Sequence, residues 1–141
     1  MRMEEKSKLA LIFVLVFFAV FFLARQVILP IDSREIPTEV LFSNRSGFDL
    51  SDGKLSFGMV TAGQNAIRVI NIENPFERRV FVKISSSGNI SKGLIVSRNN
   101  FFLEPLEKTT VSFSVYADKL GEEGFYSGVL RLDFFRDFFR R

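Results

Sequence analysis

Residues 9–24, LALIFVLVFFAVFFLA, form an apolar run without a single charge. A run that is apolar on every side has no polar face to offer solvent, so it cannot be the surface helix of a soluble domain. At helical rise it spans roughly 24 Å, slightly less than the ~30 Å hydrocarbon core of a bilayer. VILPI, residues 27–31, extends the apolar stretch, and Arg25 can snorkel to the headgroups. Arg2, Lys6 and Lys8 precede the run, which by the positive-inside rule leaves the N-terminus in the cytoplasm. The expected organisation is a cytoplasmic N-terminus at 1–8, one N-terminal transmembrane helix at 9–29, and an extracellular remainder. The competing reading is a cleaved signal peptide. Against it, FFLARQVILP lacks a small-x-small cleavage site, since Phe22 holds the −3 position relative to Ala24. Cysteine is absent, so there is no lipoprotein anchor, and KSKLAL does not match a pilin-type signal.

Beyond the anchor the chain is long enough for one domain of about 100 residues. With neither cysteine nor histidine in the chain, disulfides, thiol nucleophiles, Cys/His zinc sites and imidazole acid–base chemistry are all excluded. The net charge of +3 is small, and Lys and Arg alternate with Glu and Asp, so nucleic acid is not an expected partner. Eighteen phenylalanines and no tryptophan imply a core built from Phe, Val, Ile and Leu.

Residues 30–53 are rich in turn signals (Pro30, Pro37, SNRSG, SDG) and read as a juxtamembrane linker, with a possible edge strand at Val40–Phe42. Beyond Gly53, short apolar runs alternate with turn signals. In RRVFVKIS, Val80, Val82 and Ile84 share one face; in TTVSFSVYA, Val111, Phe113 and Val115 do; in YSGVLRLDF, Tyr126, Leu130, Leu132 and Phe134 do. Period-2 alternation with one polar face indicates antiparallel sheets covered on one side, and two such sheets must stack to bury both apolar faces. The expected fold is all-β: an Ig-like antiparallel β-sandwich of about seven strands at 54–135, then a Phe/Arg tail at 136–141.

Gly58 and Gly63 have the spacing that opens a phosphate-binding loop, but Gln64 and Asn65 stand where Lys and Ser/Thr are required, and the next residues are β-rich AIRVINI instead of a helix. Gly63 is therefore expected to supply a positive-φ turn between two strands. The stretch LSFGMVTAGQNAIRVINIENPFERRVFVKIS, with FFLEPLEKTTVSFSV and GFYSGVLRL after it, resembles the PapD-like group of Ig-fold domains that includes the major sperm protein and ASH types. Gly58, Gly63, Asn74, Pro105 and Gly128 carry the resemblance, which covers residues 55–132. It implies the fold and a binding or scaffolding habit, and transfers no ligand chemistry to any named residue.

Asn44 and Asn89 begin glycosylation sequons. Asp49 and Asp52, and Asp118, Glu122 and Glu123, lack calcium-loop spacing and read as solvated turns; no metal, cofactor or catalytic residue is expected. The tail LDFFRDFFRR has two readings. As a strand it places Phe on both faces and Arg136 inward; as a helix it collects Phe134, Phe135, Phe138 and Phe139 on one side. Strict alternation of seven strands would carry this tail to the pole remote from the membrane, making Phe135, Arg136, Phe138, Phe139, Arg140 and Arg141 candidate partner contacts.

These readings lead to a single-pass envelope protein of an archaeal type, non-enzymatic, acting by contact with an unidentified protein partner or with its own copies. Alternatives are a chaperone-like or filament-associated protein that works by β-strand addition, marked by an open groove, and a secreted carbohydrate-binding module, marked by exposed aromatic platforms.

Overall fold

The computed structural model describes residues 2–42 and 54–137, apart from the side chains of residues 2–5, 26 and 27. Helix α1 (Arg2–Ile28) contains a stretch, Lys6–Arg25, with a mean hydropathy of 2.6 and none of it buried inside the protein. Helix is the expected state for such a segment, because in lipid every backbone polar group must be satisfied within the segment itself. The helix ends at the proline: Pro30 disfavours the helical conformation at Leu29, whose amide makes a last bond to the Arg25 carbonyl at 3.2 Å.

The rest is strand in two sheets. Strands β1 (Asp32–Phe42), β2 (Leu55–Val60), β4 (Val80–Gly88), β6 (Phe101–Leu103) and β8 (Gly124–Arg136) form a five-stranded sheet in the order β2-β1-β8-β4-β6. Strands β3 (Asn65–Glu73), β5 (Leu94–Val96) and β7 (Lys108–Tyr116) form a three-stranded sheet in the order β3-β7-β5. Two short helical turns, a 3-10 turn at Asn89–Lys92 and α2 at Ala117–Leu120, cap the end remote from α1. The alternating residues expected to face inward do so: Val80, Val82, Ile84, Val111, Phe113, Val115, Leu130, Leu132 and Phe134 are buried in one core shared by both sheets.

The largest departure from the sequence reading is β1. Residues 32–42 are not a linker with a short edge strand. They make an eleven-residue strand flanked on both sides, antiparallel to β8 from Asp32↔Phe134 to Phe42↔Gly124 and parallel to β2 from Thr38↔Leu55 to Phe42↔Val60. Ile36, Thr38, Val40 and Phe42 point to the core side of this strand. Pro37 lacks the N–H that a central strand needs, yet β2 pairs with β1 only from Thr38 onward, so Pro37 lies where β1 is still an edge.

The second departure concerns the poles. β8 runs antiparallel to β1, so its end returns to the exit of α1: the Ile31 amide donates to the Phe134 carbonyl at 2.7 Å. The expectation that the tail leaves at the remote pole is overturned. The reason is that β5 and β6 are a single descending passage that changes sheet: β5 runs antiparallel to β7 and β6 antiparallel to β4. Asn100, in the intervening segment, has φ 54, a left-handed conformation that Asn tolerates better than most residues. One fewer reversal brings the last strand back to the first.

Gly63 has φ 75 in the turn joining β2 to β3, as the sequence requires. Gly128 is held by contact instead, since a Cβ there would lie 2.1 Å from the Ser87 carbonyl oxygen and 2.7 Å from Ile90 Cγ2. Gly63→Ala meets no neighbour and is expected to cost about 1 kcal/mol for its backbone conformation. Gly128→Ala forces two strands apart and is expected to cost about 2–3 kcal/mol or more. Urea unfolding of the full chain in micelles, monitored by circular dichroism, gives the ranking directly.

Candidate functional site

Among the described residues there is no group of three or more carboxylates placed to hold a metal ion. Of the acidic turn residues, Asp118 has a structural task, accepting the Gly63 amide at 2.8 Å, while Glu122 and Glu123 are exposed; Asp49 and Asp52 lie outside the described residues. The features that can meet a partner are surfaces, and two stand out.

The first is the anchor-side pole. Here the end of β8, the start of β4 and the end of β6 lie side by side, with Arg136 opposite Val80 and Val80 opposite Leu103. On the outer face one step inward, Phe135, Phe81 and Phe102 form an aromatic stripe, with Phe81 centred 6.5 Å from Phe135 and 5.1 Å from Phe102. The Arg79 guanidinium lies 4.2 Å over the Phe102 ring, 3.2 Å from Glu104 and 3.4 Å from Asp137. Exposed ion pairs of this kind contribute little stability; the Asp137 carboxylate, with its side chain only 5% exposed, is the partner with the most to lose if Arg79 is removed. A recess of about 330 Å³, lined by Phe22, Arg25, Leu29, Pro30, Ile31 and Arg136, opens where α1 meets the sheet.

The loops of this pole are knitted together by Asn74, the one fully buried polar side chain of the described residues. Its Nδ2 donates to the carbonyls of Arg78 at 2.8 Å and Glu104 at 2.8 Å, with Leu103 O at 3.3 Å, and its Oδ1 accepts the Phe76 amide at 3.0 Å. One amide side chain thus fixes the β3–β4 connection to the β6–β7 connection.

The second surface is β3. It is the end strand of the three-stranded sheet, nine residues long, with no strand paired to its outer side among the described residues, although Arg68 at its centre donates from Nε to the Ser56 carbonyl of β2 at 2.8 Å. Ile72 faces the core, but Ile67 and Val69 face outward and are 53% and 60% exposed. They stand beside Ser114 and Ser112 of β7, and Ile95 of β5, opposite Ser114, is exposed across the same row. The sequence carried a signal for this: in AIRVINI the apolar phase changes between Val69 and Ile70, leaving aliphatic side chains on both faces.

Of the tail residues chosen from sequence, Phe135 and Arg136 are half-buried parts of β8, so the strand reading describes the tail as far as Arg136. Phe138, Phe139, Arg140 and Arg141 lie outside the described residues, as does Asn44. Asn89 is exposed at the pole remote from the anchor, and its Oδ1 accepts the Ser127 amide at 2.7 Å. A polar groove of about 290 Å³ on the outer face of the larger sheet is lined by Glu35, Ser85, Ser86, Ser87, Val129 and Arg131. Comparison with family models, with curated proteins and with solved structures gave no match.

If Asn74 is the polar node of the pole, Asn74→Ala leaves one amide and the carbonyls of two loops unsatisfied and is expected to cost about 2–4 kcal/mol. Loss of that size in urea unfolding, against less than about 1 kcal/mol for an exposed control such as Asn71→Ala, is the expected outcome.

Proposed function

We propose that the chain is a membrane-anchored, extracellular, immunoglobulin-like module that works by protein contact, as a scaffold or accessory subunit of an envelope assembly, and performs no chemistry. The observation that carries the reading is the open, outwardly aliphatic β3. A long edge with exposed β-branched residues invites pairing and is normally blunted by charge, proline or bulges; β3 has one charge at its centre, Arg68, bonded to the Ser56 carbonyl of β2, and its outward central positions are Ile67 and Val69. The other sheet ends are short or irregular: β5 and β6 have three residues each, and β2 is distorted where its register with β1 shifts.

Immunoglobulin-like topology is supported by Tyr126. It lies near the start of β8, just after the corner leading out of β7, and its hydroxyl donates back to the Glu122 carbonyl at 2.7 Å, with Leu120 O at 3.1 Å. This is the arrangement of a tyrosine corner, which marks the sixth strand of such sandwiches. On that assignment β3-β7-β5 corresponds to the second, fifth and fourth strands, and β4 lies beside β8 as the third strand lies beside the sixth. The place of the seventh strand, on the other side of β8, is then taken by β1.

That filling bears on the runner-up. Strand addition beside β8 would need a vacancy there, and that flank is occupied over the whole length of β1; strand addition along β3 is one form of the edge contact proposed above. For the carbohydrate-binding alternative, Tyr126 is tied at its hydroxyl, which leaves Tyr116, exposed with Lys119 5.4 Å from its ring centre, as a single tyrosine and not a platform of several rings. Contact along the β3 edge remains the reading with an identified surface.

A photo-crosslinking residue at position 67 is expected to give a discrete adduct in cell membranes. Val69→Lys should abolish the adduct without lowering the melting temperature, and the same probe at Lys83, on the opposite sheet, should give none. An adduct indifferent to Val69→Lys, or equal labelling from position 83, would remove β3 from the account.

A further inference from the structure

We propose that the anchor-side pole rests on the lipid headgroup layer of the membrane that α1 crosses, and that Leu106 is the residue it inserts. This rests on the reading of α1 as a membrane anchor.

The turn that carries Leu106 is unusual. Glu104–Glu107 is closed by the Glu107 amide donating to the Glu104 carbonyl at 3.1 Å, and the Glu107 carboxylate accepts the Glu104 amide at 2.7 Å. Pro105 takes the second position, and Leu106 the third with φ 57. A type II turn puts glycine or asparagine at that third position, because a side chain on a positive-φ backbone crowds the neighbouring carbonyl. A leucine there bears a steric penalty and gains nothing in return from the core, being 60% exposed. Neither local conformation nor packing explains it. An exposed apolar residue held in an unfavourable backbone conformation is the kind of outlier from which a functional contact is inferred.

Its position supplies the occupant. Only residues 29–31 separate the end of α1 from β1, so the pole cannot be more than about 14 Å from the helix end. Arg136, Val80 and Leu103 form one row across β8, β4 and β6, and Ile31 is bonded to Phe134 at the same end. Leu106 projects from the turn three residues beyond that row. It is displaced sideways from the helix exit by three inter-strand spacings, about 14 Å. Helix exit and Leu106 are therefore two separated points of one face, and Phe76, whose carbonyl accepts the Leu106 amide at 3.4 Å, lies next to the second. Phe135, Phe81 and Phe102 continue the apolar character up the adjoining sheet face.

Charge decides which lipid chemistry is needed. Arg78, Arg79, Lys108 and Arg136 share the pole with Glu77, Glu104, Glu107 and Asp137, so the signs cancel. Attraction to anionic headgroups is not the driving term; burial of apolar side chains at the headgroup–acyl boundary is. The contact should form on zwitterionic phosphatidylcholine.

The chain has no cysteine, so single-site labelling is unambiguous. The full chain in phosphatidylcholine nanodiscs would carry a nitroxide at Val16→Cys, Leu106→Cys or Glu123→Cys, with accessibility to oxygen and to a water-soluble nickel complex read by electron paramagnetic resonance. Position 16 is expected deep in lipid and position 123, at the remote pole, in water. Position 106 should be severalfold less accessible to nickel than position 123 while staying accessible to oxygen. A label at Glu77→Cys should become more nickel-accessible when Leu106→Asn is added, with an unchanged or higher melting temperature. Position 106 as wet as 123, or shielded from both reagents as in a protein interface, overturns lipid docking while the anchor reading stands. An unchanged label at 77 in the Leu106→Asn background removes Leu106 as the inserted residue. Water exposure at position 16 would instead defeat the anchor reading itself.

Discussion

Pairing of β1 with β8 across eleven successive residues, from Asp32↔Phe134 to Phe42↔Gly124, is the constraint on which the rest of the structure depends. Three residues after the apolar helix, the chain enters a strand that pairs with β8 at once and with β2 from Thr38 onward. The apolar helix is therefore joined to the domain by residues 29–31 alone, and the strand that follows is paired with β8 from its first residue. Because β8 is antiparallel to β1, the same pairing returns the C-terminal end of the sheet to the helix exit. It also orders the anchor-side pole, where the β3–β4 and β6–β7 loops are locked by Asn74.

The two sheets treat their edges differently. The larger sheet keeps its long strands β1, β8 and β4 in central positions, leaving short or distorted strands at its ends. The smaller sheet has only β7 in its centre, and β3, nine residues long, is an end strand. Among the described residues outside α1, large apolar side chains are exposed along β3, at the turn that carries Leu106, and at the remote end of the larger sheet, where Phe125 stands opposite Leu41. Arg68, at the centre of β3, puts one charge on this edge and donates to the Ser56 carbonyl of β2 at 2.8 Å, while Ile67 and Val69 on either side of it stay exposed on the outer sheet face.

Much of this was legible in the residues. A helix long and apolar enough to cross a membrane followed from the unbroken apolar run, and β4, β7 and β8 from alternation in which inward residues are bulky and outward ones mostly polar. Gly63 and the glycine-bracketed turn followed from the lack of Lys and Ser/Thr. β1 was obscured although Ile36, Thr38, Val40 and Phe42 do alternate. Thr38 and Pro37 blurred the pattern, and the reason Pro37 is tolerated, a β2 that begins one residue later, is a fact of register and not of composition. The direction of the tail was misjudged because strict alternation of strands fails where β5 and β6 descend together in different sheets. The tail itself was ambiguous over so few residues, since adjacent Phe residues fit both a helix face and a strand with two faces; pairing of Phe135 with Phe81 and of Arg136 with Val80 resolved it. Leu106 gave no sequence signal at all, because a Pro-Leu turn looks ordinary until its φ is known.

Amide hydrogen exchange across β1, measured on the full chain in nanodiscs, tests the central claim most directly. If β1 is an integral strand clamped between β2 and β8, the amides of Ile36, Val40 and Phe42 should exchange on the slow timescale of Leu130, Leu132 and Phe134 in β8. Rapid exchange throughout residues 32–42 beside a protected β8 would mean that the segment after the anchor is a leash after all, and the arrangement of poles, edges and lipid contacts built on it would not hold.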